Sequence, residues 1–368
     1  PPRSTLFPYT TLFRLHIAKA VGALPDMPVN KSCAAFADID KDGDTDIFVG
    51  VLADSKAFGI AQNSYLLINN GKGIFQSASD DIIPLNSLGV VTSAQFADLN
   101  RDGSFDLVVA GEWMPITIFL NSNGRFKKST IPNSTGLWQS VYIDDVNNDN
   151  VVDILAGNWG LNNKFHSGKN GPLRMYVSDF DKNGRVDHLL SYTLNNIEYP
   201  FLAKDEVERP MPLLKKHYVL YAEYAGVPMK DVFYGWIDTV PPLMAERLAS
   251  SVCLGDGKGN FSINDLPMDL QLAPIMNFQK MKSGAPGDNV YICGGNYFDI
   301  IPYEGRYDAQ PMSMFFVDKA SKPRYMHQSN LLSVKGQVRD AKWIRVAGKG
   351  DVLMVARNKD GLLFYQKH

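Results

Sequence analysis

The sequence predicts an all-β protein, a β-propeller of four-stranded blades, and three observations carry that prediction. An acidic segment of the form D-x-[DN]-x-[DN]-[GN]-x-x-D occurs four times. Each copy leads into a short apolar run of strand length. Hairpin signals with an Asn-Gly or Asp-Gly turn recur between the copies. Repetition at a blade-like period is the mark of a chain built from stacked supersecondary units.

The acidic copies are FADIDKDGDTDIFVG (Phe36–Gly50), FADLNRDGSFDLVVAG (Phe96–Gly111), IDDVNNDNVVDILAG (Ile143–Gly157) and VSDFDKNGRVDHLLS (Val177–Ser191). Their first acids, Asp38, Asp98, Asp145 and Asp179, stand 60, 47 and 34 residues apart. These spacings bracket the length of a four-stranded blade, and the shortest suggests that the fourth loop shares a blade with the third. The runs Ile47–Val49, Leu107–Ala110 and Ile154–Ala156 are apolar on both faces, as strands packed between other sheets are. The hairpins are YLLINNGKGIF (Tyr65–Phe75), ITIFLNSNGRF (Ile116–Phe126) and SVCLGDGKGNF (Ser251–Phe261).

Two later units keep the strands and lose the acids. NVYICGGN (Asn289–Asn296) and DVLMVARN (Asp351–Asn358) match the second-strand pattern, but the loops before them, Met281–Gly287 and Trp343–Gly350, lack ligand carboxylates. The segment 203–250 carries apolar residues at helical spacing and predicts a helical insertion packed on the propeller. The expected organisation is therefore blades with acidic loops over 15–202, the insertion over 203–250, and blades without them over 251–368. About six blades are expected in a ring that continues upstream of this chain. Residues 1–14 stand apart: TLFPYTTLFR (Thr5–Arg14) looks like a translated sequencing adapter and is set aside as a non-native scar.

The spacing of the acidic segment has a physical reason. Side chains at positions 1, 3 and 5 of a tight turn converge on one point. Position 6 needs a left-handed backbone, hence Gly or Asn. A backbone carbonyl at position 7 and a carboxylate at position 9 complete an oxygen shell of the kind Ca2+ takes. The candidate metal residues are Asp38, Asp40, Asp42, Asp44 and Asp46 in the first loop, and Asp98, Asn100, Asp102, Ser104 and Asp106 in the second. Those of the third are Asp145, Asn147, Asp149, Val151 and Asp153, and those of the fourth Asp179, Asp181, Asn183, Arg185 and Asp187. In each set the seventh-position residue offers its carbonyl. Five aspartates within nine residues of the first loop repel one another unless a cation lies among them.

A second constellation follows from topology. If the acidic loop joins the first and second strands of a blade, the loop from second to third opens at the opposite end. Those loops hold Glu112 and Trp113; Asn158, Trp159, Asn162 and Asn163; and Tyr297, Tyr303, Glu304, Arg306, Tyr307 and Asp308. Aromatic and amide side chains gathered at one end suit stacking on sugar rings or anchoring a protein partner. Glu112, Trp113, Asn158, Trp159, Tyr303, Glu304, Arg306, Tyr307 and Asp308 are the candidate ligand-binding residues.

These loops and the N-x-G-x-G-x-F hairpins resemble FG-GAP and VCBS repeats, as found in integrin α-subunit propellers and many secreted bacterial proteins. GEWMPI (Gly111–Ile116), GNWGLNNKF (Gly157–Phe165), KDEVERPMPLLKK (Lys204–Lys216) and PYEGRYDA (Pro302–Ala309) further resemble the C-terminal part of cartilage-acidic-protein-like surface proteins of Bacteroidetes. The resemblance implies an extracytoplasmic, calcium-binding propeller at the cell surface or secreted, held by a lipid anchor if one lies upstream. It implies a glycan or surface-protein partner in an adhesion role.

Composition narrows the alternatives. Of 368 residues 45% are hydrophobic and 21% charged, with a formal net charge of −2, so nothing global draws the chain to nucleic acid. No 18-residue apolar run predicts a membrane span. Cys33, Cys253 and Cys293 form no C-x-x-C pair and sit in strand-like apolar runs, as buried small side chains do. No G-x-S-x-G, H-E-x-x-H or phosphate-binding loop is present, so a catalytic role is not expected. The alternatives are a propeller glycosidase or polysaccharide lyase, for which Glu112, Glu304 and Asp308 are the carboxylates to consider, and a scaffold for a missing domain.

Overall fold

The computed structural model describes residues 22–165, 167–168, 171–282, 289–300, 305–327 and 334–366. The adapter-like segment 1–14 lies outside them. The fold is an all-β propeller. Its first sheet runs β1 (Asn30–Ala37), β2 (Asp46–Ala53), β3 (Tyr65–Asn69) and β4 (Phe75–Ser77), hydrogen-bonded in that order. The second runs β5 (Val90–Ala97), β6 (Asp106–Met114), β7 (Thr117–Ser122) and β8 (Arg125–Thr130), with β9 (Gly136–Leu137) added on β6.

The third blade is interrupted. Its first two strands are β10 (Ser140–Asp144) and β11 (Asp153–Gly157). The chain then leaves to build a separate sheet from β12 (Leu173–Ser178), β13 (Asp187–Leu194), β14 (Ile197–Pro200) and β15 (Leu243–Ala245), ordered β14-β13-β12-β15. It returns as β16 (Ser251–Gly255) and β17 (Phe261–Asp265), and β16 pairs directly with β11. The fourth sheet is β18 (Ile275–Lys280), β19 (Val290–Gly295), β20 (Ser313–Val317) and β21 (Pro323–Met326). The fifth has three strands among the described residues, β22 (Val338–Val346), β23 (Gly350–Arg357) and β24 (Leu363–Gln366).

The six sheets of the described residues thus divide into five on the ring and one inserted within the third blade. The fourth acidic loop joins β12 to β13 and so belongs to the inserted sheet, not to a ring blade. The short Asp145-to-Asp179 spacing has this cause. Among the described residues helix is confined to short pieces at Lys204–Glu208, Pro212–Lys216, Tyr221–Tyr224, Met229–Val232 and Met268–Leu270. All but the last lie between β14 and β15, within the stretch expected to be a helical insertion. That stretch also contributes β15 to the inserted sheet, so the departure from the ring begins at the end of β11, ahead of residue 203.

Apolar side chains are buried between successive sheets. Phe48, Leu66, Leu107, Val109 and Phe119 fill the space between the first two, and Val108, Ile118, Ile154, Ala156 and Cys253 that between the second and third. Leu155, Val252, Phe278, Tyr291 and Phe315 join the third to the fourth, and Ile292, Val338, Leu353 and Val355 the fourth to the fifth. Strands buried on both faces explain the unbroken apolar runs of the sequence. Close sheet approach also explains a glycine: a Cβ on Gly157 would lie 2.1 Å from the Ile275 carbonyl of the next blade. The inserted sheet and its helices share a core of their own, including Tyr176, Leu189, Val207, Met211, Met229 and Phe233. A smaller cluster with Leu137, Leu173, Ala245 and Leu248 ties that sheet to the ring. No helix among the described residues is long and apolar enough to cross a membrane.

Candidate metal loops and the opposite face

Each acidic segment forms the same tight loop. The Oδ2 of the first aspartate accepts the amide of the sixth residue: Gly43 to Asp38 at 3.1 Å, Gly103 to Asp98 at 2.9 Å, Asn150 to Asp145 at 2.9 Å and Gly184 to Asp179 at 2.8 Å. The fifth side chain accepts the seventh amide, as Asp42 does from Asp44 at 2.9 Å and Asp102 from Ser104 at 2.8 Å. Val151 and Arg185 donate likewise to Asp149 and Asn183, at 2.7 and 2.8 Å. The seventh residues therefore take part in the loop through their backbone amides. The Asp44 carboxylate turns outward, and a Cβ on Gly71 would meet its oxygen at 2.6 Å.

Position 6 has the expected positive φ at Gly43, Gly103, Asn150 and Gly184. Position 4 has it too, at Lys41 (65°), Arg101 (62°), Asn148 (60°) and Lys182 (59°). In three of the four loops residue type could not reveal this, because Lys and Arg have no preference for the left-handed region; only Asn148 is of a type that favours it. Two left-handed residues in each loop turn successive amides inward, which holds the carboxylates at one point.

The ninth-position aspartates are buried: Asp46 is 1% exposed, Asp106 and Asp153 0%, and Asp187 6%. In the ring each staples its loop to the third strand of its blade. Asp106 accepts from Leu99 at 2.9 Å and Asn121 at 2.7 Å, and Asp153 from Val146 at 3.1 Å and Gly255 at 2.9 Å. Asp46 does the same with Ile39 at 3.1 Å and Asn69 at 2.8 Å. Burial pushes the Asp106 and Asp153 carboxyls up to about 6 although these amides pull the other way. A divalent cation in the loop would oppose that rise by stabilising the charged form.

The loops differ in how far their own atoms satisfy them. Oxygens of Asp38, Asp40 and Asp42 lie within 4.8 Å of one another, as do those of Asp179, Asp181 and Asp187. In the first loop the Oδ1 of Asp38 is buried without a hydrogen-bond partner. Its counterparts accept the fifth amide: Asp98 from Asp102 at 3.2 Å, Asp145 from Asp149 at 3.1 Å and Asp179 from Asn183 at 2.9 Å. Burial, then the neighbouring Asp42 charge, raises the Asp40 carboxyl above its ordinary value. An orphaned buried oxygen beside clustered carboxylates fits a hard cation with oxygen ligands. In the second and third loops position 3 is an amide that donates to the position-5 carboxylate, Asn100 to Asp102 at 3.0 Å and Asn147 to Asp149 at 2.8 Å.

The loops that leave the second strands lie at the other end of the ring. The register of β5 with β6 shows it: Ala97 pairs with Asp106 at the acidic end and Val90 with Glu112 at the far end. Glu112 is half-buried there, and its Oε1 accepts Gln139 Nε2 at 2.8 Å. The buried indole N–H of Trp159 faces the same carboxylate without completing a hydrogen bond. Burial raises the Glu112 carboxyl, with the Gln139 contact opposing. Trp113, next in the chain, holds a φ of 61°, a strained backbone for a bulky residue. Both tryptophans pack partly against the cluster that joins ring to inserted sheet.

Around Trp159 the aromatic rings form a run. Its centroid lies 5.5 Å from Tyr297, 5.3 Å from Tyr307 and 6.0 Å from Phe165. Phe165 continues to Phe201 at 5.1 Å and Phe201 to Tyr192 at 6.4 Å, so the run crosses from the ring onto the inserted sheet. All but Tyr307 keep part of the side chain exposed. Arg339 lies 5.8 Å from the Tyr297 ring and donates to Asn296 O at 2.9 Å and Gln337 Oε1 at 2.7 Å.

The predicted ligand residues fare unequally. Glu112, Trp159 and Tyr307 meet at this end. Asn158 does not offer itself to a ligand: it is 0% exposed, donates to Arg247 O at 3.0 Å and accepts from Trp159 N at 2.8 Å. Arg306 is exposed and stands over Phe298 at 5.2 Å, and Asp308 is exposed. Tyr303 and Glu304 lie outside the described residues. Gln139 and Arg339 escaped sequence reasoning because neither belongs to a second-to-third-strand loop; both reach this end from the inner strands.

Comparison with known proteins adds one family. Residues 38–109 and 98–156 match the FG-GAP-like repeat. No curated protein matches. Among solved structures, the Dos1 propeller is 11% identical, with a TM-score of 0.37 over 91% of this chain and 67% of that one. BBS1N in complex with ARL6DN, soaked with mercury, is 11% identical, with a TM-score of 0.29 over 94% and 93%. Soaked with lead, it is 9% identical, with a TM-score of 0.26 over 91% and 90%. The family match spans the three acidic loops of the ring and stops before the fourth: residues 38–156 of this propeller are similar to the FG-GAP-like repeat.

Proposed function

We propose that this propeller is an extracytoplasmic, calcium-loaded binding module that engages a glycan or a surface protein in adhesion, using the end of the ring opposite the acidic loops. The observation that carries the reading is the partly exposed aromatic run Tyr297–Trp159–Phe165–Phe201–Tyr192, which begins beside Glu112 and Arg339. Rings of this kind offer large, rigid, amphipathic contact area, and neighbouring polar groups fix orientation. Calcium has a structural part: Asp38, Asp40 and Asp42, and Asp179, Asp181 and Asp187, would hold it with seventh-position carbonyls. Bound there it neutralises the clustered acids and stiffens the loops, leaving the far end to the partner.

Glycan-array binding by the calcium-loaded chain tests the reading. Trp159→Ala and Tyr297→Ala are expected to lower binding at least tenfold while the melting temperature stays within a few degrees. Binding indifferent to both substitutions, or no binding to glycans or to proteins of the cell surface, would refute it. A hydrolase or lyase is the second reading, favoured by the raised Glu112 carboxyl beside the aromatic run, since burial shifts it in the direction a general acid requires. Polysaccharide turnover lost in Glu112→Gln would establish it.

A further inference from the structure

The insertion between β14 and β15 carries apolar side chains that its own core does not use. Met211, Leu214, Tyr218 and Tyr224 pack into that core. Leu213, Val219, Leu220 and Tyr221, from the same stretch, are 49–72% exposed. Scattered exposed apolar residues are ordinary, but four crowded into one short stretch mark a contact surface.

The stretch is held in shape. Leu214 O accepts both His217 N and Tyr218 N, each at 3.0 Å, and so closes a turn. One oxygen, Glu223 Oε2, accepts Val219 N and Leu220 N, each at 2.8 Å. The backbone of the two most exposed aliphatic residues of the stretch is thus clamped, and the entropy of ordering it is spent before any partner arrives.

Charge is sorted in the same place. Residues 209–222 contain no acid and three cations, Arg209, Lys215 and Lys216. All three are exposed, and among the described residues they make no ion pair. The acids on either side fold back onto the insertion. Glu208 pairs with Lys204 at 2.7 Å, Glu206 accepts Ala203 N at 3.2 Å, Asp205 accepts the Tyr221 hydroxyl, and Glu223 is the clamp.

We propose that this tip docks on an anionic lipid surface, with Val219 and Leu220 entering the headgroup boundary and Arg209, Lys215 and Lys216 pairing with lipid phosphates. Side chains this exposed protrude and do not wall a groove. A protein partner would need a pocket to receive them, whereas a bilayer yields to a convex shape. Interfacial binding scales with the apolar area inserted and gains from cations beside anionic headgroups. Tyr221, with an apolar ring and a polar hydroxyl, suits the headgroup level. The tip shares no residue with the aromatic run, so it stands whether or not that run binds a glycan.

Flotation of the full, calcium-loaded chain with vesicles of phosphatidylcholine, with and without phosphatidylglycerol, tests the proposal. The chain is expected to float with the phosphatidylglycerol vesicles and at least tenfold less with phosphatidylcholine alone. Val219→Ser combined with Leu220→Ser should weaken binding about tenfold, and Lys215→Glu combined with Lys216→Glu by more. Leu220→Trp keeps an apolar tip and gives a second readout: its emission should shift to the blue on vesicles and be quenched by lipids brominated in the acyl chain. No flotation, equal flotation on both vesicles, or emission that vesicles leave unchanged overturns the proposal. So does binding that survives either double variant, calcium then bridging the acidic loops to the lipid. A concentration-dependent dimer that Leu220→Ser breaks would assign the tip to a second copy and overturn it as well.

Discussion

The first and second acidic loops share their spacing, their left-handed positions and their buried ninth aspartate, and they differ at position 3. Asp40 in the first adds a charge to a cluster that already strains. Asn100 in the second donates to Asp102 and removes one repulsion. The first loop is left with a buried, unpartnered Asp38 oxygen, whereas the second satisfies the same oxygen with the Asp102 amide. One motif therefore supports two conditions: a loop with an unmet buried oxygen among its carboxylates and a loop whose own amide meets the same oxygen.

The largest expected effect concerns the calcium reading as a whole. A site holding its ion at a hundredfold excess over Kd contributes about 2.7 kcal/mol. The two carboxylate-rich loops together would then lower the melting temperature by roughly 10 °C on chelation. Scanning calorimetry with and without chelator measures this, and superimposable curves would remove calcium from the account. Next comes the staple. Asp106→Ala removes the acceptor for two buried amides and should cost about 3 kcal/mol in denaturant unfolding. With calcium removed from both variants, Asp187→Ala in the inserted sheet loses a single bond to Phe180 at 3.2 Å and should cost about half as much. Equal costs would show that ring and inserted loops are built alike after all.

The smallest effect sharpens the contrast most. Exchanging position 3 between the loops, by Asp40→Asn and by Asn100→Asp, should move affinity in opposite directions, each by about tenfold, equivalent to about 1.4 kcal/mol. Site-resolved calcium titration by NMR reads it. Changes of the same sign in both variants would mean that position 3 does not set the difference.

Local chemistry was legible in the sequence and long-range pairing was not. The Asp, Asn and Gly pattern dictates a loop within nine residues, because its hydrogen bonds run between near neighbours. The hairpin SVCLGDGKGNF was equally readable, but nothing within it says that its first strand pairs with Ile154 and Leu155. The acids of the fourth loop obey the motif as well as those of the third, so sequence could not tell a ring blade from an inserted sheet. Arg339 was invisible for a different reason: it is the unpaired residue where the register of β22 with β23 breaks, and such a bulge exists only as a mismatch between two strands that neither strand records alone. The aromatic residues were found in the right neighbourhood, but Asn158 looked like its neighbours until burial separated it.

The detour between β11 and β16 has a kinetic consequence. Ile154 and Cys253 are partners in one sheet although nearly a hundred residues separate them. Most other strand pairs of the ring close by short hairpins, so this pairing dominates the contact order and should come late as the chain folds. The entropy of closing so long a loop rises only with its logarithm, about 0.6 kcal/mol per doubling. Length in itself is therefore tolerated. What the chain must avoid is the interval before closure, when the free edge of β11 waits for β16 and can pair with another copy instead.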